Sequence, residues 1–218
     1  MIDRGSTATV CALDISKAFD KVDHYGLFLK LLKRDVPLWF VQIMSHWYDK
    51  NVSVVRWCNT LSYRFQIKAG VRQGGILSPY LFNVYIDSLI ERLAASGHGF
   101  YLLGAFLGCI VYADDILLIS KTISGMQNML DICSSMAIEL NVKFNVAKSM
   151  VLRIGARFSV KCAELVLCNS VLARVEQIKY LGVTLKSGRK CAYSFKSTKM
   201  SFYRCFNAVD RKMQTPSW

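Results

Sequence analysis

The eight cysteines of this 218-residue chain, at positions 11, 58, 109, 133, 162, 168, 191 and 205, never form a Cys-x-x-Cys pair. Only three histidines occur, His24, His46 and His98, and they are scattered. These shortages exclude a zinc site of ordinary spacing and a disulfide framework. They predict buried, reduced thiols in a cytosolic or nuclear protein. The longest uncharged apolar-rich run, Phe100 to Ala113, has 14 residues, too few to span a bilayer. The opening M-I-D-R-G-S-T-A-T-V lacks a basic segment followed by an apolar core, so no signal peptide is expected. Internal repeats, low-complexity tracts and Pro/Gly-rich linkers are also missing. The expectation is an intracellular protein, not secreted, with no membrane partner.

Acidic residues are scarce as well: 15 stand against 28 Lys and Arg, for a net charge of +13. The shortage is uneven. Residues 1–115 carry 12 basic against 10 acidic residues, and residues 116–218 carry 16 against 5. A near-neutral half joined to a basic half predicts a polyanion partner, nucleic acid first, with ordinary solubility charge as the alternative. Hydrophobic residues make up 53% of the chain, enough for a core and too many for a disordered chain.

The periodicity changes several times along the chain. V-C-A-L-D-I (10–15) reads as a short buried strand ending in Asp14, and S-K-A-F-D-K-V-D-H as the start of a helical turn. Residues 26–34 have helical spacing. Pro37 opens a second helix with Phe40, Ile43, Met44 and Trp47 on one face. V-S-V-V-R-W and S-Y-R-F-Q-I predict two strands joined around C-N-T. Ser78 is expected to cap a helix with Pro79 in its first turn. C-I-V-Y-A and I-L-L-I predict a hairpin turning on Asp114 and Asp115. A helix follows over 125–140, then short strands including V-L-R-I and K-Y-L-G-V-T-L. The tail from Tyr193 to Met213 spaces Phe195, Phe202, Phe206, Val209 and Met213 like one helix face, decorated by Lys196, Lys199, Arg204, Arg211 and Lys212. Helices alternating irregularly with adjacent strand pairs predict an α+β fold with a largely antiparallel sheet.

An Asp-Asp turn is by itself an ordinary turn, because aspartate bonds its own backbone. With Asp14 at the end of a neighbouring strand, however, three carboxylates converge at one sheet edge. Unpaired carboxylates repel and call for a cation, and Mg²⁺ takes hard oxygen ligands together with substrate phosphates. Two such ions clamp the attacking and leaving oxygens of a phosphoryl transfer. The loop G-V-R-Q-G-G, with Gly70, Gly74 and Gly75 around Arg72 and Gln73, suits a nucleotide or a template backbone. It also reads as a plain strand-to-helix turn.

C-A-L-D-I-S-K-A-F-D-K-V-D-H resembles the first palm motif of reverse transcriptases. G-V-R-Q-G-G-I-L-S-P-Y-L-F-N resembles the second and Y-A-D-D the third. L-N-V-K-F-N-V-A-K-S resembles the fourth, and K-Y-L-G-V-T-L the primer-gripping hairpin. The wording is most similar to polymerases of non-LTR (LINE-type) retrotransposons, over about residues 10–186. The resemblance implies a right-hand polymerase palm, an antiparallel sheet packed on helices, with partial fingers at about 24–69, all within residues 1–186. Residues 187–218 would be a basic helical segment, the start of a thumb.

The implied activity is RNA-directed DNA polymerisation: dNTPs, a DNA primer and an RNA or DNA template. The implied cofactors are two Mg²⁺ ions, with Mn²⁺ as a substitute. Asp14 and Asp114 would bind both metals with Asp115 beside them, and the Ile15 carbonyl would complete one sphere. Phe19 would exclude a ribose 2′-hydroxyl; its plain alternative is a core phenylalanine. Arg72, Gln73 and Gly74 would meet the nucleotide. Lys148 would lie near the triphosphate; its alternative is a surface lysine. Tyr180, Leu181 and Gly182 would hold the primer end, and Lys196, Lys199 and Arg204 the duplex backbone.

Family members carry a fuller fingers region before the first motif and a longer thumb. No endonuclease, RNase H or Cys/His knuckle is visible. The chain is therefore expected to derive from a longer polyprotein that supplies the fingers, thumb and endonuclease parts. A catalytically incompetent remnant that only binds nucleic acid is the alternative. An RNA polymerase is disfavoured by Phe19 and Ala113, and a nucleotide cyclase by the lack of a G-G-D/E-E-F string.

Overall fold

The computed structural model describes residues 5–214, with side chains up to Arg211. Strand β1 (Thr7–Ser16) is longer than expected and has two different faces. Cys11, Leu13 and Ile15 enter a large core, whereas Val10 and Ala12 enter a smaller one. Strand alternation therefore sets Asp14 on the face of the smaller core.

A one-turn 3-10 helix (Phe19–Lys21) leads into α1 (His24–Leu32), where the Asp23 carboxylate caps by accepting from the Gly26 N–H at 2.6 Å. Helix α2 (Leu38–Asp49) starts after Pro37, as expected, and packs on α1. It buries Val41, Met44 and Tyr48. The expected face fails in part, since Ile43 and Trp47 are 57% and 58% exposed. Both faces of α2 are apolar at helical spacing, and packing against α1 chose between them.

The paired short strands β2 (Val52–Ser53) with β5 (Phe65–Gln66), and β3 (Arg56–Trp57) with β4 (Thr60–Leu61), form the hairpin predicted around C-N-T. Helix α3 (Ser78–Ala95) has Leu77 at its N-cap and no side-chain cap. Ser78 is instead its first helical residue, and its buried hydroxyl donates to the Arg72 carbonyl. The serine thus ties the glycine-rich loop to the helix.

A small hairpin, β6 (Tyr101–Leu102) with β7 (Ala105–Phe106), precedes the central hairpin of β8 (Cys109–Tyr112) and β9 (Asp115–Ser120). Helix α4 (Ile123–Glu139) is capped by Thr122, whose Oγ1 accepts from the Gly125 N–H at 3.0 Å. The Tyr85 hydroxyl donates to the Leu140 carbonyl at 2.6 Å, and Arg92 grips Glu139 through both oxygens at 2.7 and 2.9 Å. These bonds hold α3 against α4. The remaining elements are β10 (Lys143–Phe144), β11 (Met150–Gly155), β12 (Val166–Leu167), β13 (Ser170–Val171), β14 (Ala173–Arg174), β15 (Gln177–Tyr180), β16 (Val183–Lys186), β17 (Ala192–Ser194) and α5 (Lys196–Gln214).

The central sheet runs β14-β11-β1-β9-β8, with β10 on the end of β1. Its pairs are antiparallel except β11 with β14. Helices α3 and α4 cover one face. The β15–β16 hairpin covers part of the other through Ile178, Tyr180 and Leu185 against Val10, Leu117, Leu152 and Ile154. The α+β expectation holds.

Two expectations need correction. Tyr193 lies in β17 ahead of α5, and Phe202, Phe206 and Val209 on α5 are each more than half exposed. Lys212 and Met213 lie outside the residues whose side chains are described. The thiols are all free, but Cys58, Cys168, Cys191 and Cys205 are exposed rather than buried. Burial pushes the Cys109 thiol up to about 12 and raises Cys11 and Cys133 as well, which makes them inert. No described helix is long and apolar enough to cross a membrane.

Candidate active site

The central hairpin turns on Ala113 and Asp114, closed by the pair Tyr112 and Asp115. Asp115 is therefore the first residue of β9 and not part of the turn. Ala113 takes φ 52°, a left-handed conformation that costs an alanine about 1 kcal/mol. On β1, Asp14 stands directly opposite Asp115. The Asp14 N–H donates to Ser149 Oγ at 3.2 Å and its carbonyl accepts from the Asn145 N–H at 2.8 Å. Both main-chain groups thus turn away from β9. Asp14 and Asp115 form a non-hydrogen-bonded pair, with Cα atoms about 4.5 Å apart and side chains on one face. The same alternation turns the Ile15 carbonyl towards β9 and the turn.

Burial first, then the charges of Asp114 and Asp14, hold the Asp115 carboxyl above its ordinary range. Asp115 therefore feels both neighbouring carboxylates. Among the described residues no three metal-binding side chains stand in ready ligand geometry. The donor chemistry, hard oxygens with unfavourable mutual charge, fits a divalent cation. This has a consequence for stability. With the folded-state value raised, stability is full below the ordinary carboxylate range and falls as pH rises through the raised value. In chelator, Asp115→Asn is expected to flatten this part of the melting curve and to melt roughly 1–3 °C higher at neutral pH, a small gain because the site is exposed. Superimposable pH profiles for the two proteins would contradict this.

Lys148 Nζ lies 4.0 Å from Asp14 Oδ2, so the lysine of the fourth motif reaches the first carboxylate. The reading of the sequence overlooked Ser149. It is fully buried, accepts from the Asp14 N–H and donates to the Asn145 carbonyl at 2.8 Å. One hydroxyl thus fixes the Lys148 loop to the strand end carrying Asp14. Its signal was only a small polar residue after the lysine. Ser149→Ala leaves the Asp14 N–H without its partner and is expected to cost about 1–3 kcal/mol. It should also lower kcat more than it raises KM for dTTP, with Ser149→Thr restoring kcat. Unchanged melting and kcat in the alanine variant would remove this role.

The glycine-rich loop is shaped by the protein itself. Gly70, at φ +94°, meets the backbone of Phe19 and Asp20: an added Cβ would lie 2.8 Å from the Phe19 carbonyl oxygen. Its N–H donates to Val22 and the Val71 N–H to Phe19. Gly74, at φ +79°, has open space around it, as an approaching ligand requires. Arg72 and Gln73 are exposed, and Gln73 Nε2 donates to Asp20 Oδ1 at 3.1 Å. Arg72 and Gln73 separate two clefts of about 510 and 460 Å³, the first also lined by Trp47, Tyr48 and Gly74 and the second by Asp20. Neither is lined by Asp14, Asp114 or Asp115. The link between loop and carboxylates is the segment carrying Phe19 and Asp20. Phe19 is half-buried, its ring 5.1 Å from that of Phe82.

The β15–β16 hairpin turns on Leu181 and Gly182, both at positive φ (45° and 81°). The Tyr180 hydroxyl lies 3.3 Å from the Ile110 carbonyl oxygen and 3.4 Å from that of Asp115. Burial, then the Asp115 charge, raise the Tyr180 phenol, so it remains a neutral donor. Thr198 donates to the Gly182 carbonyl, docking the first turn of α5 on this hairpin. Lys196, Lys199 and Arg204 project from α5 into solvent.

Comparison with known proteins agrees with this arrangement. Residues 2–185 match the family described as reverse transcriptase (RNA-dependent DNA polymerase). The chain is 30% identical over 190 residues to the RNA-directed DNA polymerase from mobile element jockey of Drosophila funebris, covering 84% of this chain and 20% of that protein. It is 30% identical over 182 residues to the retrovirus-related Pol polyprotein from type-2 retrotransposable element R2DM of Drosophila melanogaster, covering 80% and 17%. The matched stretch thus spans at most about a fifth of these relatives' length. Apo telomerase from Candida tropicalis, truncated from its C-terminal domain, shares the fold with a TM-score of 0.61 at 12% identity, over 87% of this chain and 35% of that one. With its carboxylates paired across β1 and β9 and its sequence matched almost throughout, the chain belongs to the reverse transcriptase family, among relatives from non-LTR retrotransposons.

Proposed function

We propose that this chain is the palm of an RNA-directed DNA polymerase. It would transfer dNMP from a dNTP to a primer 3′-hydroxyl on an RNA or DNA template. The 3′-hydroxyl gives its proton to solvent water and its oxygen bonds to the α-phosphorus as the α–β bridging bond breaks and pyrophosphate leaves. The observation that carries this reading is the register that sets Asp14 opposite Asp115, beside the Asp114 turn. Two Mg²⁺ ions, or Mn²⁺, held by Asp14, Asp114, Asp115 and the Ile15 carbonyl would activate the hydroxyl and neutralise the leaving charge.

The other groups have their own tasks. Lys148, beside Asp14, supplies a proton to the departing pyrophosphate. Phe19, braced on Phe82, closes the space a ribose 2′-hydroxyl needs. Arg72, Gln73 and the open backbone at Gly74 take the nucleotide. Tyr180, Leu181 and Gly182 hold the primer end, and Lys196, Lys199 and Arg204 follow the duplex phosphates. Residues 1–186 form the palm with partial fingers at 24–69, and 187–218 begin the thumb. A longer parent polyprotein supplies the remaining fingers, thumb and endonuclease parts.

The test is dTTP incorporation on oligo(dT)-primed poly(rA). Incorporation is expected with Mg²⁺, none with chelator, and little UTP in place of dTTP. Extension that ignores the metal, or no extension by folded protein, would overturn the reading.

A further inference from the structure

Much of the positive charge of the basic half lies outside α5. Arg157, Lys161, Arg174, Lys186, Arg189 and Lys190 are all exposed, and among the described residues none is ion-paired. Between residues 156 and 190 only Glu164 and Glu176 oppose them. The fold gathers these cations. The Gly155 N–H donates to the Gly188 carbonyl at 2.8 Å, and Ser187 Oγ donates to the Arg153 carbonyl at 2.7 Å. This docks segment 186–190 on the end of β11. Arg174 donates to the carbonyls of Val160 and Phe158, drawing the 156–162 loop to β14. Arg174 and Lys186 then share a cleft of about 710 Å³ with Ser159, Gln177, Ser187 and the single acid Glu176.

Beneath this surface lies Arg153, only 8% exposed. Its Nη1 donates to the Val160 carbonyl at 2.8 Å, its Nε has no partner, and no carboxylate pairs with it. A buried guanidinium without a counter-charge is costly, and a nearby anion offsets that cost. The end of β11 that receives segment 186–190 points away from the carboxylates. Gly155 pairs with Thr7, seven residues along β1 from Asp14, or about 23 Å at strand rise.

We infer that this end of the palm is a second nucleic-acid site, which holds the phosphodiester backbone of an RNA strand remote from the polymerising centre. Guanidinium forks together with hydroxyl and amide donors suit phosphate oxygens, and they read no base sequence. The inference rests on membership of a family that works on nucleic acid, and not on catalysis by this chain.

The test measures binding alone, with labelled oligo(rA), no dNTP and the full 218-residue chain. Lys186→Glu/Arg189→Glu is expected to bind roughly 10-fold more weakly, with a salt slope shallower by about 1.4, two contacts at ~0.7 each. Lys33→Glu/Lys50→Glu, the exposed C-cap positions of α1 and α2 with the same charge change, is expected to lose much less. If the glutamate pair fails to fold, Lys186→Gln/Arg189→Gln should show the same trend at smaller size. Unchanged affinity and slope, or an equal loss in the α1/α2 control, would overturn the site. Loss of polyglutamate binding with RNA binding retained would reassign it to an acidic protein surface, and so overturn it too. Failure of dTTP incorporation leaves this result untouched.

Discussion

Asp114→Ala is expected to lower dTTP incorporation on the order of 10³-fold or more while leaving the melting temperature unchanged or slightly raised. The two parts of this result have one cause. Asp114 sits at the tip of a two-residue turn, so its side chain supports no packed core. Its charge acts on Asp115, whose carboxyl it helps to hold above the ordinary range. Removing that charge relaxes the folded protein and deletes an oxygen proposed to bind metal. A loss of activity accompanied by unfolding would mean that the turn itself had failed. A variant that extends primers at the wild-type rate would end the assignment of these carboxylates as the catalytic centre. Salt-sensitive binding of RNA without synthesis by the wild type would favour a non-catalytic remnant.

Gly70→Ala is expected to be the most damaging single methyl addition near the site, at about 3 kcal/mol, or a drop of roughly 6–12 °C in melting temperature. The new Cβ would lie 2.8 Å from the Phe19 carbonyl oxygen and 2.9 Å from the Asp20 Cα, and both neighbours are backbone. The position also holds φ +94°, which alanine adopts only with strain. Nor is the segment free to move away. The Gly70 N–H bonds Val22 at 2.8 Å, the Val71 N–H bonds Phe19 at 2.7 Å, and His24 Nε2 lies 2.8 Å from the Gly70 carbonyl oxygen. Strain passed to Phe19 and Asp20 reaches Gln73 through its bond to Asp20, so KM for dTTP should rise together with the loss of stability. Wild-type melting with an unchanged KM would show that the loop yields freely. That would remove the link drawn between Phe19 and the glycine-rich loop.

The α+β class, the hairpin around Asp114 and the helix with Pro79 in its first turn were legible because local period and turn chemistry specify them. Ser78 was misread as a cap. Its hydroxyl was captured by the Arg72 carbonyl, a partner that the helix-start pattern does not reveal. The Asp-Asp turn was placed one residue late, because the register with Tyr112 put Asp115 in the strand. On α2, periodicity marked two apolar faces and could not say which would be covered. Gly70 looked like a place for a ligand, yet the neighbour pressing on it is the chain's own backbone.

By itself the sequence determined the family, the order of the motifs and the identity of the three carboxylates. Each of these depends on residue type and short spacing, which folding does not alter. The tertiary structure decided what those residues touch. It set Asp14 opposite Asp115 and brought Ser149 under a strand end 135 residues earlier. It also docked segment 186–190, with its cations, on the end of β11. Contacts between residues so distant along the chain leave no local period, because only the packing of the whole domain brings them together.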